Sequence, residues 1–515
     1  MWNRHQHYII RRFLRPLTLS IDTIKVSARR PKFDDFFNVA LQKYTSAKCM
    51  IMELRKGHTV ELNIEKMAYG GRGIARPDGF VVFVRGTVPG DRVLARIFKK
   101  KKDYAEAGLV ELLDASSDRI ETACPYAGYC GGCQWQHVAY DKQLVFKREH
   151  VKEPLERIAG LKDVLVRPLL PSENIFGYRN KMEFSFSDRR WYLPHELPFR
   201  EKSENFALGL HVPGTYHKVI DMGACLLQQQ TGNGILKEVG QYVKQSDVPV
   251  YGLKSHKGFW RYLTIRHSAA FDQWMVNLVT SEEDLSTVQP LADHLCRKFP
   301  SIKTVVNNIN GRKASIAVGE KEKVLMGDGF ISDKIGPFTF RVSANSFFQT
   351  NTSAALKLYN QVLHYANPKG TEMVLDLYSG TGTIPIFLAD RVRSVTGIEI
   401  SQSATADAHR NALENGVGNC RFVCGDIREK LGMTGFKPDL MIIDPPRAGM
   451  HKDVLAETLA LAPERIIYVS CNPTTLARDL EIMVEHYELN EIQPVDMFPH
   501  TFHIESVAKL SRRNK

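Results

Sequence analysis

The hydrophobic pattern changes along the chain, and each part predicts a different architecture. Between residues 54 and 113, apolar and polar positions alternate over short runs that glycine and proline interrupt. Such alternation predicts a small β-barrel of roughly five strands. The segment YDKQLVFKREHVKEPLERIAG then has helical spacing. Residues 165–340 mix alternating and helical runs, which predicts an α+β domain with an antiparallel sheet.

From about Phe340 onwards, helical segments alternate with four apolar strands. These strands lie in the segments MVLDLYSG, SVTGIEI, PDLMIIDPP and RIIYVSCNP. Alternation of strand and helix predicts a doubly wound, mainly parallel sheet. Ligands bind at the carboxyl ends of the strands in such sheets, and all four of these strands end in chemically distinctive motifs. We therefore expect the functional site at this edge.

Composition and length add the domain organisation. The 515 residues include 43% hydrophobic and 24% charged residues, as in soluble globular proteins, and no apolar run approaches a membrane span. The patterns predict a multidomain chain with domains at 53–114, 115–340 and 341–515. We interpret the basic, acid-poor residues 1–52 as a disordered extension, with a mitochondrial presequence as the alternative. Nine cysteines in so long a chain indicate a reducing cytoplasm.

Charge gives only weak evidence about the partner. The net charge is +12, which favours a polyanion, but +7 of it lies in residues 1–50. Within the predicted barrel, Arg72, Arg76 and the run Lys99–Lys102 lie on turns or on one face. These side chains suit either RNA contact or a solvated hairpin.

A glycine-rich turn and two acids suggest a nucleoside-containing cofactor. The turn SGTGT, with Gly380 and Thr383, follows the strand that carries Asp376, and its glycines allow a ligand close to the backbone. Glu399 ends the next strand, where a carboxylate can bind ribose hydroxyls. Asp426, in VCGDIRE, ends the strand that follows, where it could contact an adenine amine. Each acid alone could instead be a helix N-cap. The third glycine of the dinucleotide pattern is missing, which favours S-adenosylmethionine over NAD.

The last two of these four strands and a final strand near the C-terminus carry candidate reactive groups. Asp444 precedes two prolines that stiffen its turn, and Arg447 stands where amino-methylating enzymes carry an aromatic residue. Cys471 lies at the carboxyl end of its strand beside the cofactor motifs, which favours a nucleophile over a buried inert thiol. Glu505, in HIES, lies among apolar residues, where burial tunes a carboxylate for proton transfer.

Together, the motifs CPYAGYCGGC, SFFQTN, DLYSGTGT, DPPRAG, SCNP and HIE resemble those of the RNA uridine-5-methyltransferases. The resemblance runs from about Leu54 to the C-terminus. It implies an OB-like TRAM domain that binds RNA, an α+β central domain and a C-terminal Rossmann-like methyltransferase domain. It also implies that Cys471 is the nucleophile, that Glu505 is the general base and that Asp444 positions the uracil or the cofactor. S-adenosylmethionine would be bound by Gln349, Tyr378, Gly380, Thr383, Glu399, Asp426 and Asp444.

The reaction of this family requires one thiol, one base and one methyl donor. Carbon 5 of uracil is a poor nucleophile, and attack of a thiolate at carbon 6 places electron density on carbon 5. Carbon 5 then takes the methyl group, and a base removes its proton so that the thiolate can leave. The uracil must also leave its stack, which favours single-stranded or flipped uridine.

The stretch CPYAGYCGGC is a candidate metal site that lacks one ligand. Cys124, Cys130 and Cys133 have a spacing unlike that of the radical enzymes, and Cys225 is the best candidate for the fourth ligand, as the resemblance also implies. Four thiolates suit a [4Fe–4S] cluster, with zinc as the alternative. A ligand so far downstream favours a structural or RNA-positioning role over electron transfer.

We expect a cytoplasmic monomer whose partner is RNA rather than DNA or a membrane. The tRNA members of the family typically lack the cysteine cluster, and many lack the TRAM domain. Both features here favour 23S ribosomal RNA as the substrate, with tRNA as the alternative. A non-catalytic iron–sulfur RNA-binding protein is the alternative from a different functional class.

Overall fold

The computed structural model describes residues 54–199, 205–313, 316–433 and 435–513. The extension predicted for residues 1–52 lies outside these ranges. Contacts group Leu54–Lys515 as one unit. None of the described helices has the length and apolarity needed to cross a membrane.

The N-terminal part forms one six-stranded sheet, where the sequence predicted about five strands. Alternate residues point into its core: Val82 and Val84 are fully buried, and Val60 is 7% exposed. The strands are β1 (Thr59–Asn63), β2 (Lys66–Ala68), β3 (Arg72–Ala75), β4 (Val81–Arg85), β5 (Arg92–Lys100) and β6 (Tyr104–Asp114). Their order is β1-β5-β6-β4-β3-β2, with β4 and β6 parallel and the other pairs antiparallel.

The middle of the chain mixes helices with short and long strands. Its elements are α1 (Tyr140–Arg157), β7 (Leu165–Val166), β8 (Lys181–Ser187), β9 (Arg190–Trp191), β10 (Ala207–Gly209), β11 (Val219–Ile220), α2 (Gln230–Gln245), β12 (Trp260–Ser268), β13 (Gln273–Thr280), α3 (Leu285–Lys298), β14 (Ile302–Ile309), β15 (Lys321–Met326), β16 (Phe330–Ile335) and β17 (Phe338–Ser343).

The central sheet differs in one pairing from the antiparallel sheet that the sequence predicted. Its order is β10-β8-β12-β13-β14-β15, and β13 runs parallel to β14. The reason is that α3 connects these two strands, and such a crossover makes neighbouring strands parallel. The other neighbouring pairs are antiparallel.

The C-terminal part alternates helix and strand as predicted. Its elements are α4 (Thr352–Ala366), β18 (Met373–Leu377), α5 (Thr383–Leu388), β19 (Ser394–Glu399), α6 (Gln402–Glu414), β20 (Cys420–Cys424), α7 (Ile427–Lys430), β21 (Leu440–Ile443), α8 (Lys452–Leu461), β22 (Arg465–Ser470), α9 (Pro473–Met483), β23 (Tyr487–Val495) and β24 (Glu505–Arg512).

These strands form one sheet whose order reverses beside its first strand. The order is β20-β19-β18-β21-β22-β24-β23-β7, in which the first five strands are parallel and β24 is antiparallel to both neighbours. The reversal between β18 and β21 creates the crevice in which doubly wound sheets bind ligands. This crevice lies at the carboxyl ends of the strands, where the sequence predicted the functional site.

The segment after the cysteine stretch contributes to the C-terminal layer. β7 extends the sheet beside β23, and Val151 and Leu155 of α1 lie in the same hydrophobic cluster as residues of α9. Lys147 of α1 also forms a fully buried ion pair with Asp496, with 2.6 Å between nitrogen and oxygen. The sequence had placed this helix and strand with the central domain.

Candidate active site

Strand pairing brings the predicted nucleophile and the predicted base together. Ser470 of β22 pairs with Ser506 of β24, so that Cys471 and Glu505 follow in adjacent positions across the two antiparallel strands. Glu505 is only 7% exposed, whereas Cys471 is half-buried. A thiol open to a substrate therefore lies beside an enclosed carboxyl group.

Asp444 makes this pair part of a larger acidic cluster. It follows β21, and its backbone N–H donates to the carbonyl of Leu377 at 3.3 Å, which ties the turn to β18. Burial raises the pKa of Asp444 to about 7. Burial, followed by the charge of Asp444, raises the pKa of Glu505 well above its usual value. The charge of Asp444 therefore makes ionisation of Glu505 harder.

The same environment keeps the Cys471 thiol protonated. Burial raises its pKa to about 12, and the charges of Glu505 and Asp444 act in the same direction. Arg447 opposes them and lowers the pKa of the thiol. The thiolate that acts as nucleophile therefore needs nearby positive charge, or transfer of the thiol proton to a base, before it forms in quantity.

The Asp-Pro-Pro-Arg turn and the Ser-Cys-Asn-Pro turn are joined by hydrogen bonds. Asn472 donates from Nδ2 to the carbonyl of Arg447 at 3.0 Å, and its Oδ1 caps α9 by accepting from the N–H of Thr474 at 3.1 Å. Nη2 of Arg447 lies 3.5 Å from Nδ1 of His503. These contacts hold Arg447 next to the acidic pair.

The glycine-rich turn has the backbone geometry of a close ligand approach. Tyr378 has φ +67°, unusual for a residue with a side chain, and Gly380 has φ +55°. The N–H of Gly380 donates to Oε2 of Glu399 at 3.0 Å, so the acid braces the turn. A side chain on Gly382 would place its Cβ 2.8 Å from Phe422, and Oγ1 of Thr383 lies 2.9 Å from the Tyr359 hydroxyl.

Asp376 is a candidate that the sequence did not single out as a ligand. It is 1% exposed, and neither of its carboxyl oxygens has a hydrogen-bond partner among the described residues. Burial, Asp444 and Glu399 all raise its pKa. A bound cation would relieve this unfavourable charge, and the sulfonium and ammonium groups of S-adenosylmethionine are cations. The cluster therefore fits that cofactor.

Asp426 is the N-cap of a helix, and Gln349 lies two residues before the N-cap of α4. Asp426 caps α7 through the N–H of Arg428 at 3.0 Å and pairs with its guanidinium, which lowers the Asp426 pKa to about 2. The N-cap alternative is thus what the structure shows for this acid. The carbonyl of Gln349 accepts from Nδ2 of Asn180 at 2.8 Å, which joins the SFFQTN segment to residues 178–180 just before β8.

The N-terminal domain contributes a tyrosine that sequence reasoning missed. Tyr69, between β2 and β3, has its ring centroid 5.4 Å from that of Phe502. Burial raises its pKa, and the charges of Arg447, Cys471 and Glu505 also affect it. No local sequence signal indicated this, because the contact depends on how the two domains pack.

The four predicted cysteine ligands line one small cavity. Cys124, Cys130, Cys133 and Cys225 meet there with apolar neighbours, and all four are free thiols. Burial raises the pKa of Cys130 and of Cys133 to about 12, and the other thiols of the set add to the effect.

No group of three or more metal-binding side chains within the described ranges is close enough to hold one ion. The geometry of the described side chains therefore does not support the cluster predicted for these four cysteines.

The N-terminal sheet carries alternating cations and aromatic rings. Arg72 lies over Phe83 with 4.7 Å to the ring centroid, and Arg85 lies over Phe98 at 5.1 Å. Some predicted RNA-contacting cations are paired: Arg76 is 2.8 Å from Glu65. Cations interleaved with aromatic rings are typical of surfaces that bind single-stranded nucleic acid.

Comparison with known proteins assigns the family. A family model described as tRNA (Uracil-5-)-methyltransferase matches residues 297–513, and the TRAM domain model matches residues 53–110. An uncharacterized RNA methyltransferase of Chlorobaculum tepidum is 42% identical over 469 residues, covering 89% of this chain and 97% of that protein. One from Halalkalibacterium halodurans is 37% identical, covering 90% and 98% respectively.

A solved structure supports the same assignment over almost the whole described chain. The Pyrococcus abyssi tRNA (uracil-54, C5)-methyltransferase, in complex with S-adenosyl-L-homocysteine, is 30% identical with a TM-score of 0.70. The match covers 87% of this chain and 99% of that one. The predicted fold, with a TRAM domain before a Rossmann-like methyltransferase domain, is confirmed. The chain belongs to the S-adenosylmethionine-dependent RNA (uracil-5-)-methyltransferases.

Proposed function

We propose that this enzyme methylates carbon 5 of a uridine in 23S ribosomal RNA through a covalent adduct between Cys471 and carbon 6 of the uracil. The observation that supports the covalent route is the adjacency of Cys471 and Glu505 across β22 and β24. Residues 53–114 would bind RNA, residues 115–340 would carry the cysteine site, and residues 341–515 would perform the chemistry.

Each protein group has one task in this route. The Cys471 thiolate adds to carbon 6, and the resulting enolate places electron density on carbon 5. S-adenosylmethionine, when bound, supplies the methyl group that carbon 5 takes. Glu505 then accepts the carbon-5 proton, the double bond re-forms and the thiolate leaves. A base with a raised pKa is well suited to accept that proton, and burial raises the pKa of Glu505.

The cofactor would occupy the crevice at the β18–β21 reversal. Asp376 and Asp444 would face its cationic end. The predicted ligands Gly380 and Glu399 would frame its nucleoside. Gln349, Tyr378, Thr383 and Asp426 complete the proposed set.

The substrate has two candidates. The cysteine set and the TRAM domain together favour ribosomal RNA. The Pyrococcus abyssi relative is a tRNA methyltransferase, yet this chain covers 99% of it. Because a tRNA enzyme matches this chain over almost its whole length, the domains present do not by themselves indicate ribosomal RNA. tRNA is therefore the second candidate. The family assignment leaves the non-catalytic alternative without support.

Incubation of the enzyme with methyl-labelled S-adenosylmethionine distinguishes the two substrates. Unmodified 23S fragments and tRNA transcripts are offered in separate reactions, and the labelled nucleotide is mapped by nuclease digestion and mass spectrometry. Methyl transfer to a 23S uridine is the expected result. Transfer to tRNA alone would overturn the choice of substrate without affecting the chemistry.

We also propose that Cys124, Cys130, Cys133 and Cys225 hold a [4Fe–4S] cluster in a cytoplasmic enzyme. An anaerobic preparation should be brown, with iron and sulfide each near four per chain. Cys225→Ser should lose the metal as completely as Cys130→Ser, whereas Cys296→Ser, a thiol outside the cavity, should retain it. A colourless protein with one zinc per chain would contradict the cluster.

A further inference from the structure

The loop between β23 and β24 leads directly into Glu505 and follows an unusual backbone path. His500, near its middle, has φ +65°, a left-handed conformation that side chains disfavour. Such a conformation persists only where surrounding contacts enforce it. His500 is 2% exposed, and its ring stacks on Phe176 with 4.4 Å between centroids.

The contacts that enforce this path come from residues 134–143, which follow the cysteine stretch and include the start of α1. The N–H groups of Gln134 and Trp135 both donate to the carbonyl of His500, each at 2.9 Å. The N–H of His500 donates in turn to Oε1 of Gln143 at 2.9 Å. Both polar groups of the His500 backbone are therefore bound by residues that lie more than three hundred positions earlier in the chain.

Gln143 is fully buried and uses its whole amide in this arrangement. Its Nε2 donates to the carbonyls of Trp135 at 3.1 Å and Val138 at 2.9 Å, while its Oε1 binds His500. The amide of Gln143 thus links residues 135–138 to the loop between β23 and β24. Cys133 directly precedes Gln134 in the chain, so its thiol lies next to the two N–H groups that bind the carbonyl of His500.

A second contact on the same side secures the start of the loop. Nζ of Lys147, one helical turn after Gln143, donates to the carbonyl of Phe498 at 3.0 Å and to Asp496 at 2.6 Å. The far end of the loop carries Phe502, which contacts Tyr69, and His503, which lies 3.5 Å from Arg447. These hydrogen bonds, called the clamp below, thus hold the start and the middle of the loop, and its far end lies beside the active site.

We propose that Gln143 is a positioning residue for proton removal: it holds the loop at His500 and thereby holds Glu505 and the loop residues beside it in the geometry that deprotonation of carbon 5 requires. This inference rests on the proposed role of Glu505. Displacement of a reacting group by about 1 Å can cost on the order of 100-fold in rate. Loss of the clamp should slow release of the methylated product much more than formation of the adduct, because Cys471 lies on a different strand end.

The test is Gln143→Leu in a single-turnover assay with substrate RNA and S-adenosylmethionine. Adduct is measured on denaturing gels and methylated RNA by mass spectrometry. We expect adduct formation within about twofold of wild type, product release slower by about 10- to 100-fold, and KM values for both substrates within about twofold. Gln493→Leu is the matched control, because Gln493 is 8% exposed and donates to the carbonyls of Pro168 and Pro494 outside the loop. It should release product at the wild-type rate.

Unchanged release in Gln143→Leu, or equal slowing of both steps, would overturn the proposal. Thermal unfolding checks that the variant is folded. If it is not, Gln143→Asn, which keeps the amide but is one methylene shorter, is put through the same assay with the same criteria. Failure of the underlying mechanism looks different: Glu505→Gln would then release product normally, whatever the Gln143 variants do.

Discussion

Binding of S-adenosylmethionine should release protons from the acidic cluster. Asp376, Asp444 and Glu505 all have raised pKa values in the protein without ligand. A cationic ligand favours the charged form of nearby carboxyl groups and lowers their pKa. The perturbation is the cofactor itself, with S-adenosylhomocysteine as its matched control, because that product lacks the positive charge on sulfur.

The amount of proton release follows from Asp444. With a pKa of about 7, its carboxyl group is about half protonated at pH 7. A cation within about 4–6 Å lowers a carboxyl pKa by about 1–3 units, which leaves about a tenth or less protonated. Asp444 alone should then release about 0.4–0.5 proton per bound cofactor at pH 7. Its share should fall toward zero at about pH 9, where it is already ionised.

Isothermal titration calorimetry measures this release. Binding enthalpies are compared in buffers with different ionisation enthalpies, and the slope gives the number of protons exchanged. S-adenosylhomocysteine should release fewer protons than S-adenosylmethionine, and Asp444→Asn should release fewer than wild type. Equal release with both ligands, or none with either, would refute the view that the cluster is kept protonated until a cationic cofactor binds.

Other substitutions separate the roles of the site residues. Cys471→Ala should reduce methyl transfer below detection while RNA binding in a filter assay stays within about threefold, and normal turnover would rule out the thiol as nucleophile. Glu505→Gln should accumulate an RNA–protein adduct that survives a denaturing gel, because the carbon-5 proton stays in place, whereas absence of the adduct would count against this base. Tyr69→Ala should raise the KM for RNA by about 5- to 20-fold, the cost of losing one contact between an aromatic ring and an RNA base, and should lower kcat less. Tyr104→Ala, which changes another aromatic residue of the N-terminal sheet, is the control. A fall in kcat alone would indicate that Tyr69 acts on the chemistry instead.

Much of the fold could be predicted because the local pattern and the final structure agree. The strands between residues 373 and 470 form as expected, since continuous apolar runs between helices suit strands that are covered on both faces. The positions of Cys471 and Asp444 at strand ends followed from the same pattern. The parallel β13–β14 pair was missed because strand direction depends on the crossover helix rather than on the residues of the strand.

Other parts of the site depend on long-range packing that no local pattern reveals. β24 inserts between β22 and β23, and only that register places Glu505 next to Cys471. The carboxyl group of Asp376 is buried without a hydrogen-bond partner among the described residues, and this depends on which distant residues surround it in the fold. Tyr69 and Gln143 contact the loop between β23 and β24 from distant positions in the chain, and in the sequence they looked like ordinary barrel and helix residues.

The most direct test of the covalent route uses RNA in which 5-fluorouridine replaces uridine. Fluorine takes the place of the carbon-5 proton that Glu505 would remove, so the methylated adduct cannot resolve. After incubation with S-adenosylmethionine, protease and nuclease digestion and tandem mass spectrometry identify the modified residue. We expect a methylated fluorouridine on Cys471, and none with Cys471→Ala. Methyl transfer to unmodified RNA without any adduct on Cys471 in the fluorinated RNA would contradict the mechanism.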